Sequence, residues 1–131
     1  MNSTKYRTKT IQDVVIFAKE LLTILNEKKI LLLDGQLGAG KTALVKEIGK
    51  LLNIGETINS PSFNYMKIYD GLIHIDLYNY KGDIEEFEDY FEDNIVAIEW
   101  ANKTNYNFKN YIKINVEIDG NYHVYKIEEI K

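Results

Sequence analysis

One stretch constrains the fold of this chain more than any other, a glycine-rich segment over residues 35–42 with the sequence GQLGAGKT. It follows the apolar residues 30–33 and leads into a stretch whose apolar residues recur at helical spacing. A strand, a glycine-rich turn and a helix in this order aim successive backbone N–H groups and the helix N-terminus at one anion. The segment therefore predicts a binding site for the phosphates of a nucleoside triphosphate.

The residue types of this segment suit that site. Glycines let the backbone approach phosphates without a Cβ clash. Lys41 would bring a positive charge to the outer phosphates, and the Thr42 hydroxyl would ligate a bridging Mg²⁺. The alternative is a glycine turn with an incidental lysine. The predicted nucleotide-binding residues here are Gly35, Gln36, Leu37, Gly38, Ala39, Gly40, Lys41, Thr42 and Ala43.

Length and composition favour a single domain over residues 1–131. A chain of 131 residues with 45% hydrophobic content can bury roughly two-thirds of its unfolded surface. The lack of cysteine excludes disulfides and thiolate metal sites, and it suits a reducing compartment. No apolar run approaches the ~20 residues of a membrane span, and the first residues lack the apolar core of a signal peptide. We expect a soluble, cytoplasmic protein with no membrane partner.

The charge distribution bears on partners. A net charge of -4 argues against a free-standing nucleic-acid binder. Residues 83–93 contain seven of the 20 acidic residues and no Lys or Arg, so the rest of the chain is mildly basic. We interpret this segment as an acidic helix whose apolar side is Ile84, Phe87 and Phe91. It is either a solvated face or a surface that docks onto a basic partner.

The remaining pattern predicts an α/β fold. Thr10 and Asp13 have the spacing of a capping box before a helix over residues 11–26. The dipeptide at 70–71, Asp-Gly, predicts a hairpin between two strands, and the continuous apolar run 95–98 predicts a buried parallel strand. Residues 111–118 and 122–130 predict a second hairpin with one wet face, at a sheet edge. Together these elements indicate a three-layer P-loop NTPase fold with a mixed, mostly parallel sheet, antiparallel hairpins and helices on both faces.

Two acids fit the metal side of the site, since each ends an apolar strand. We expect Glu99 to hold Mg²⁺, and Asp76 to orient or deprotonate the attacking water or to hold a metal-bound water. Trp100, the only tryptophan, either covers the nucleotide or belongs to the core. His74 either bonds the metal shell or is a structural histidine. Ser62 is a candidate sensor of the terminal phosphate.

Several separated motifs, in this order, closely resemble the bacterial TsaE (YjeE) family. They are residues 35–42, Ser60-Pro61-Ser62-Phe63, His74-Ile75-Asp76-Leu77-Tyr78 and Glu99-Trp100. The resemblance implies a small P-loop ATPase needed to form N6-threonylcarbamoyladenosine in tRNAs that read codons beginning with A. It implies ATP and Mg²⁺ as cofactors and a TsaD-TsaB heterodimer as partner, with tRNA met only through that complex.

The resemblance also assigns roles by motif. Lys41 and Thr42 would serve phosphate and Mg²⁺, Glu99 would serve Mg²⁺, and Asp76 would serve hydrolysis. Trp100 would sit at the nucleotide. The segment before the first helix, around Thr10 and Ile11, would lie near the base.

This chain departs from the family pattern in places. Asn79 stands where the family has an arginine after Asp-Leu-Tyr, and Ser62 stands where it has a threonine. The stretch between Asp76 and Glu99 is shorter than usual. No arginine follows Arg7, so we expect weak ATPase activity alone and stimulation by the partner. The alternatives are a nucleotide-gated, non-catalytic scaffold and, less favoured, a small-molecule P-loop kinase.

Overall fold

The fold is known from a computed structural model, which describes residues 4–59, 61 and 65–131. The strands are β1 (Lys5–Thr8), β2 (Ile30–Gly35), β3 (Met66–Tyr69), β4 (Leu72–Asp76), β5 (Ile95–Glu99), β6 (Tyr111–Asp119) and β7 (Tyr122–Ile130). The α-helices are α1 (Ile11–Lys28) and α2 (Lys41–Leu51), and 3₁₀ helices cover Ile84–Tyr90 and Ala101–Lys103. None of the helices in the described residues is long and apolar enough to cross a membrane.

The strands form one mixed sheet in the order β1-β7-β6-β2-β5-β4-β3. Strands β6, β2, β5 and β4 are parallel neighbours, and β3, β7 and β1 are added antiparallel at the two sides. The predicted α/β fold with antiparallel hairpins is confirmed. Because β2, β4 and β5 are parallel, their carboxyl ends meet at one edge, where Gly35, Asp76 and Glu99 lie.

Both α-helices pack on the same face of the sheet. Leu21 and Leu25 of α1 and Leu44 and Ile48 of α2 are fully buried in one cluster with residues of the central strands. The predicted capping box is present: Asp13 N donates to Thr10 Oγ1 at 3.3 Å, and Thr10 N donates to Asp13 Oδ2 at 3.2 Å. This reciprocal pair satisfies backbone donors that a helix start leaves unpaired.

The acidic segment covers the other face as a 3₁₀ helix rather than an α-helix. Ile84 and Phe87 are buried against residues of β4 and β5, with Phe91 partly buried beside them. A 3₁₀ helix has three residues per turn, so it aligns the apolar residues at i and i+3. The acidic side chains therefore face away from this cluster.

The C-terminal hairpin does not lie at the sheet edge, so that expectation was wrong. β6 pairs in parallel with β2 in the centre of the sheet, and β1 covers the outer side of β7. The alternation of β6 is as predicted, with Ile112, Ile114 and Val116 buried toward the helices. The edge is occupied instead by β1, a strand of four residues that is too short to show a period.

Candidate functional site

A cleft of about 270 Å³ lies at the carboxyl ends of β2, β4 and β5. It brings the glycine-rich loop together with both predicted acids and the tryptophan. Its lining residues are Leu37, Gly38, Gly40, Lys41, Thr42, Ala43, Asp76, Glu99 and Trp100. A larger open cleft of about 830 Å³ lies near the start of β2, between lysines and the acidic 3₁₀ helix, and no residue of the glycine-rich loop lines it.

The loop between β2 and α2 depends on its glycines. Gly35 has φ +139°, and a Cβ there would lie 2.3 Å from the carbonyl oxygen of Val116 on β6. Gly40, the N-cap of α2, has φ +123°, and Gly38 has φ +78°. L side chains rarely adopt these conformations. The backbone of Gln36 and the buried Ala39 complete the turn through a hydrogen bond from Ala39 N to Gln36 O at 3.1 Å.

Lys41 is held inside this loop. Its ammonium group donates to the carbonyl oxygens of Gly35 and, at 3.0 Å, Gln36. The group also lies 4.1 Å from the centroid of the Trp100 ring, a cation–π distance. Only 3% of Lys41 is exposed. Burial lowers the pKa of Lys41, and the nearby carboxylate of Glu99 opposes this shift.

Glu99 links the loop to β4. The Thr42 hydroxyl lies 2.9 Å from each carboxylate oxygen of Glu99, and His74 Nε2 lies 2.5 Å from Glu99 Oε2. Glu99 is 3% exposed and His74 is fully buried. His74 Nδ1 has no hydrogen-bond partner among the residues that the structure describes. His74 and Thr42 thus both contact Glu99 Oε2, and together they hold the carboxylate in place.

Asp76 sits directly opposite Glu99 in the β4–β5 register. One of its oxygens accepts a hydrogen bond from Tyr78 N at 2.9 Å. Burial raises the pKa of Asp76; the bond from Tyr78 opposes the shift and the charge of Glu99 adds to it. Asp76 and Glu99 are thus neighbours in the sheet, and both line the cleft together with Thr42.

Trp100 adopts the left-handed conformation, with φ 59° and ψ 41°, directly after β5. Its ring packs on Tyr78 at a centroid distance of 4.8 Å and lines the cleft on its other side. Behind it, Asp34 at the end of β2 accepts a hydrogen bond from Asn102 N at 2.8 Å. Asp34 was not singled out from the sequence, and it fixes the turn that carries Trp100.

The two residues predicted to lie near the nucleotide base are found at the start of α1. Thr10 caps α1 and Ile11 begins it; both are exposed, and neither lines the cleft. Ser62 lies outside the described residues.

Sequence reasoning missed two residues of β7 that touch the loop. Tyr125 donates its hydroxyl to the carbonyl oxygen of Gly40 at 2.8 Å, and His123 Nδ1 lies 2.6 Å from the carbonyl oxygen of Ala39. Nothing in the local pattern of residues 122–130 signals these contacts, because they depend on where the strand lies in the sheet.

The donor set suits Mg²⁺. Thr42, Glu99 and Asp76 supply hard oxygen atoms, and Mg²⁺ usually takes one or two carboxylates and completes its shell with waters and substrate phosphates. Within residues 4–59, 61 and 65–131, no group of three or more His, Cys, Asp or Glu side chains could hold a metal ion. An open site completed by phosphate oxygens fits these residues, and a closed metal cage does not.

The chain is similar to proteins of one family. The family model described as "Threonylcarbamoyl adenosine biosynthesis protein TsaE" matches residues 8–126. The "tRNA threonylcarbamoyladenosine biosynthesis protein TsaE" of Bacillus subtilis is 32% identical over 108 residues, covering 77% of this chain and 68% of that protein. The protein of the same description from Treponema pallidum is 30% identical over 129 residues, covering 87% of this chain and 93% of its own.

Coverage of the relatives is not always complete. The chain spans just under two thirds of the Streptomyces coelicolor relative: 31% identity over 94 residues, 63% of this chain and 64% of that protein. Among solved structures, Bacillus subtilis YdiB superposes with a TM-score of 0.74 at 23% identity, covering 97% of this chain and 85% of that one. That likeness shows the shared fold. The family model spans most of this chain, and the chain belongs to the TsaE family of threonylcarbamoyl adenosine biosynthesis proteins.

Proposed function

We propose that this chain, as one domain over residues 1–131, binds ATP with Mg²⁺ and hydrolyses it. The observation that carries the proposal is the Thr42 hydroxyl at 2.9 Å from both carboxylate oxygens of Glu99, beside a glycine loop that contains Lys41. A hydroxyl at a helix start facing a strand-end carboxylate is the arrangement that holds Mg²⁺ against phosphates in P-loop NTPases.

The residues divide the work by position. The loop N–H groups and the ammonium of Lys41 stabilise charge that develops on the transferred phosphoryl group. Thr42 and Glu99 would hold Mg²⁺, which when bound neutralises charge on the outer phosphate oxygens. Asp76, the neighbour of Glu99 in the sheet, orients or deprotonates the attacking water. Trp100 covers the ammonium side of the cleft and keeps water from it.

The sole arginine is not available to this cleft. Arg7 is on β1 and pairs with Asp119 at 2.9 Å. An arginine that stabilises transition-state charge is worth several orders of magnitude in rate. The isolated protein therefore turns ATP over slowly, and a partner that completes or closes the cleft accelerates it.

The family supplies the biological setting of the proposal. The curated relatives are described as tRNA threonylcarbamoyladenosine biosynthesis proteins. We infer that this chain supports formation of N6-threonylcarbamoyladenosine in the cytoplasm, in tRNAs that read codons beginning with A. It works with a TsaD-TsaB type heterodimer and reaches tRNA only through that complex. The absence of a second arginine favours one other function, a scaffold that binds ATP without hydrolysing it.

Phosphate release separates the two functions. Wild-type protein should release phosphate slowly alone and faster with purified TsaD-TsaB, while Lys41→Ala loses nucleotide binding or turnover and Glu99→Ala loses turnover. Glu128→Ala, at an exposed position of β7, is the matched control and should behave as wild type. If wild type binds ATP but releases no more phosphate than Glu99→Ala does, the result would support the non-catalytic scaffold instead of the ATPase. Activity in Lys41→Ala would contradict the site itself.

A further inference from the structure

Two side chains of β7 form hydrogen bonds with backbone carbonyl groups of the glycine-rich loop. The Tyr125 hydroxyl donates to Gly40 O at 2.8 Å, and His123 Nδ1 lies 2.6 Å from Ala39 O. A carbonyl oxygen only accepts, so His123 carries its proton on Nδ1 in this contact. Gly40 O also accepts the first helical bond, from Leu44 N at 3.2 Å. The carbonyl groups of two consecutive peptide units in the loop are thus hydrogen-bonded to side chains of β7.

The geometry of the peptide unit gives these bonds a consequence. A trans peptide is planar, with its C=O and N–H pointing in opposite directions. The carbonyl of Ala39 shares its plane with the N–H of Gly40, and the carbonyl of Gly40 shares its plane with the N–H of Lys41. Gly40 and Lys41 both line the cleft. A donor that fixes each carbonyl from behind therefore fixes the direction of an N–H in front.

The anchors are themselves held in place. Tyr125 is fully buried and packs on Phe17 of α1 at a centroid distance of 5.2 Å. Burial raises the pKa of Tyr125, so its hydroxyl keeps the proton that it donates. The backbone oxygen of His123 accepts a hydrogen bond from the Thr8 hydroxyl of β1 at 2.7 Å. The edge of the sheet and α1 thereby set the position of both donors.

We propose that Tyr125 and His123 are positioning residues for polyphosphate binding, which aim the N–H groups of Gly40 and Lys41 at the phosphates. They act through the loop carbonyls and touch no ligand. The inference rests on the proposed nucleotide binding and adds to it a role for the C-terminal hairpin.

The test compares binding with stability. Tyr125→Phe removes only the hydroxyl, and we expect the Kd for ADP, measured by calorimetry, to rise about three- to tenfold, the range for one hydrogen bond. Tyr122→Phe on the same strand should stay within about twofold of wild type. Ile95→Val, at the amino end of β5, is a control for stability loss alone, since it removes a methyl group from the buried core. It should lower the melting temperature without weakening ADP binding.

His123 allows a rescue. His123→Ala should weaken ADP binding in the same range, and His123→Asn should restore it, because the amide nitrogen can donate where Nδ1 did. Equal ADP affinity in wild type and Tyr125→Phe, or weakening no greater than in Ile95→Val, would overturn the positioning role. A wild-type protein that binds no ADP or ATP would instead overturn the proposed function, so the two failures are distinct.

Discussion

Replacing Gly35 with alanine should destabilise the protein far more than the same change at Gly38. At Gly35 the backbone has φ +139°, and the new Cβ would lie 2.3 Å from the carbonyl oxygen of Val116, its partner in the β2–β6 register. Because backbone cannot rotate away as a side chain can, the two central strands must separate. At Gly38, with φ +78°, a Cβ meets nothing within 4 Å, so only the conformational strain remains.

These contacts set the magnitudes. Backbone strain, overpacking and a weakened ladder bond together should lower the free energy of unfolding of Gly35→Ala by roughly 3–7 kcal/mol. Gly38→Ala costs about 1–2 kcal/mol. For a domain of this length each kcal/mol lowers the melting temperature by roughly 4 °C. We therefore expect losses of about 4–8 °C for Gly38→Ala and about 12 °C or more for Gly35→Ala.

Thermal unfolding followed by far-ultraviolet circular dichroism, without nucleotide, measures both losses. Urea unfolding of the same variants checks that the transition remains two-state. Equal melting temperatures for the two alanine variants would refute the reasoning, because only Gly35→Ala places a Cβ against the backbone of Val116. A stable Gly35→Ala protein would also mean that β2 and β6 are not paired as described.

Two further outcomes follow from individual contacts. Thr42→Val removes the hydroxyl that faces Glu99 and should lower Mg²⁺-dependent phosphate release at least about tenfold, whereas Thr42→Ser should retain most of it. Tyr106 donates to Glu88, and this bond raises the pKa of Tyr106 to about 12. The difference in free energy of unfolding between wild type and Tyr106→Phe should be constant below about pH 10 and shrink as pH rises toward about 12. The reason is that the hydrogen bond to Glu88 favours folding only while the phenol is protonated. Chemical denaturation across that pH range measures the difference.

The parts of the site that could be predicted are those with local signals. The glycine segment carries its own strand, turn and helix, and the apolar run of β5 ends at Glu99. Since neighbouring parallel strands meet at their carboxyl ends, the approach of Glu99 to Thr42 follows once both strands are placed in one sheet. The Asp70-Gly71 turn likewise specifies the β3–β4 hairpin, in which the register pairs Tyr69 with Leu72.

The parts that could not be predicted depend on strand order. β1 is four residues long, and its pairing with β7 joins residues more than 110 positions apart, such as Arg7 and Val124. Without that pairing, β7 would be predicted to be an exposed edge strand, and Tyr125 would be predicted to be an ordinary core residue. The acidic segment shows the same limit, because apolar residues at i and i+3 fit a 3₁₀ helix as well as an α-helix.

The polar contacts of the cleft fall into two classes, and the difference bears on how nucleotide is bound. Lys41 bonds to loop carbonyls and Thr42 to Glu99. In the proposed function, both would exchange these partners for phosphate oxygens and Mg²⁺. An exchange of hydrogen bonds yields much less net free energy than their formation from nothing. The bonds from Tyr125 and His123 to the loop need no such exchange. The affinity for the proposed nucleotide therefore depends on how rigidly the bonds from Tyr125 and His123 hold the N–H groups of the loop. Preorganised donors incur no further ordering cost when phosphate binds.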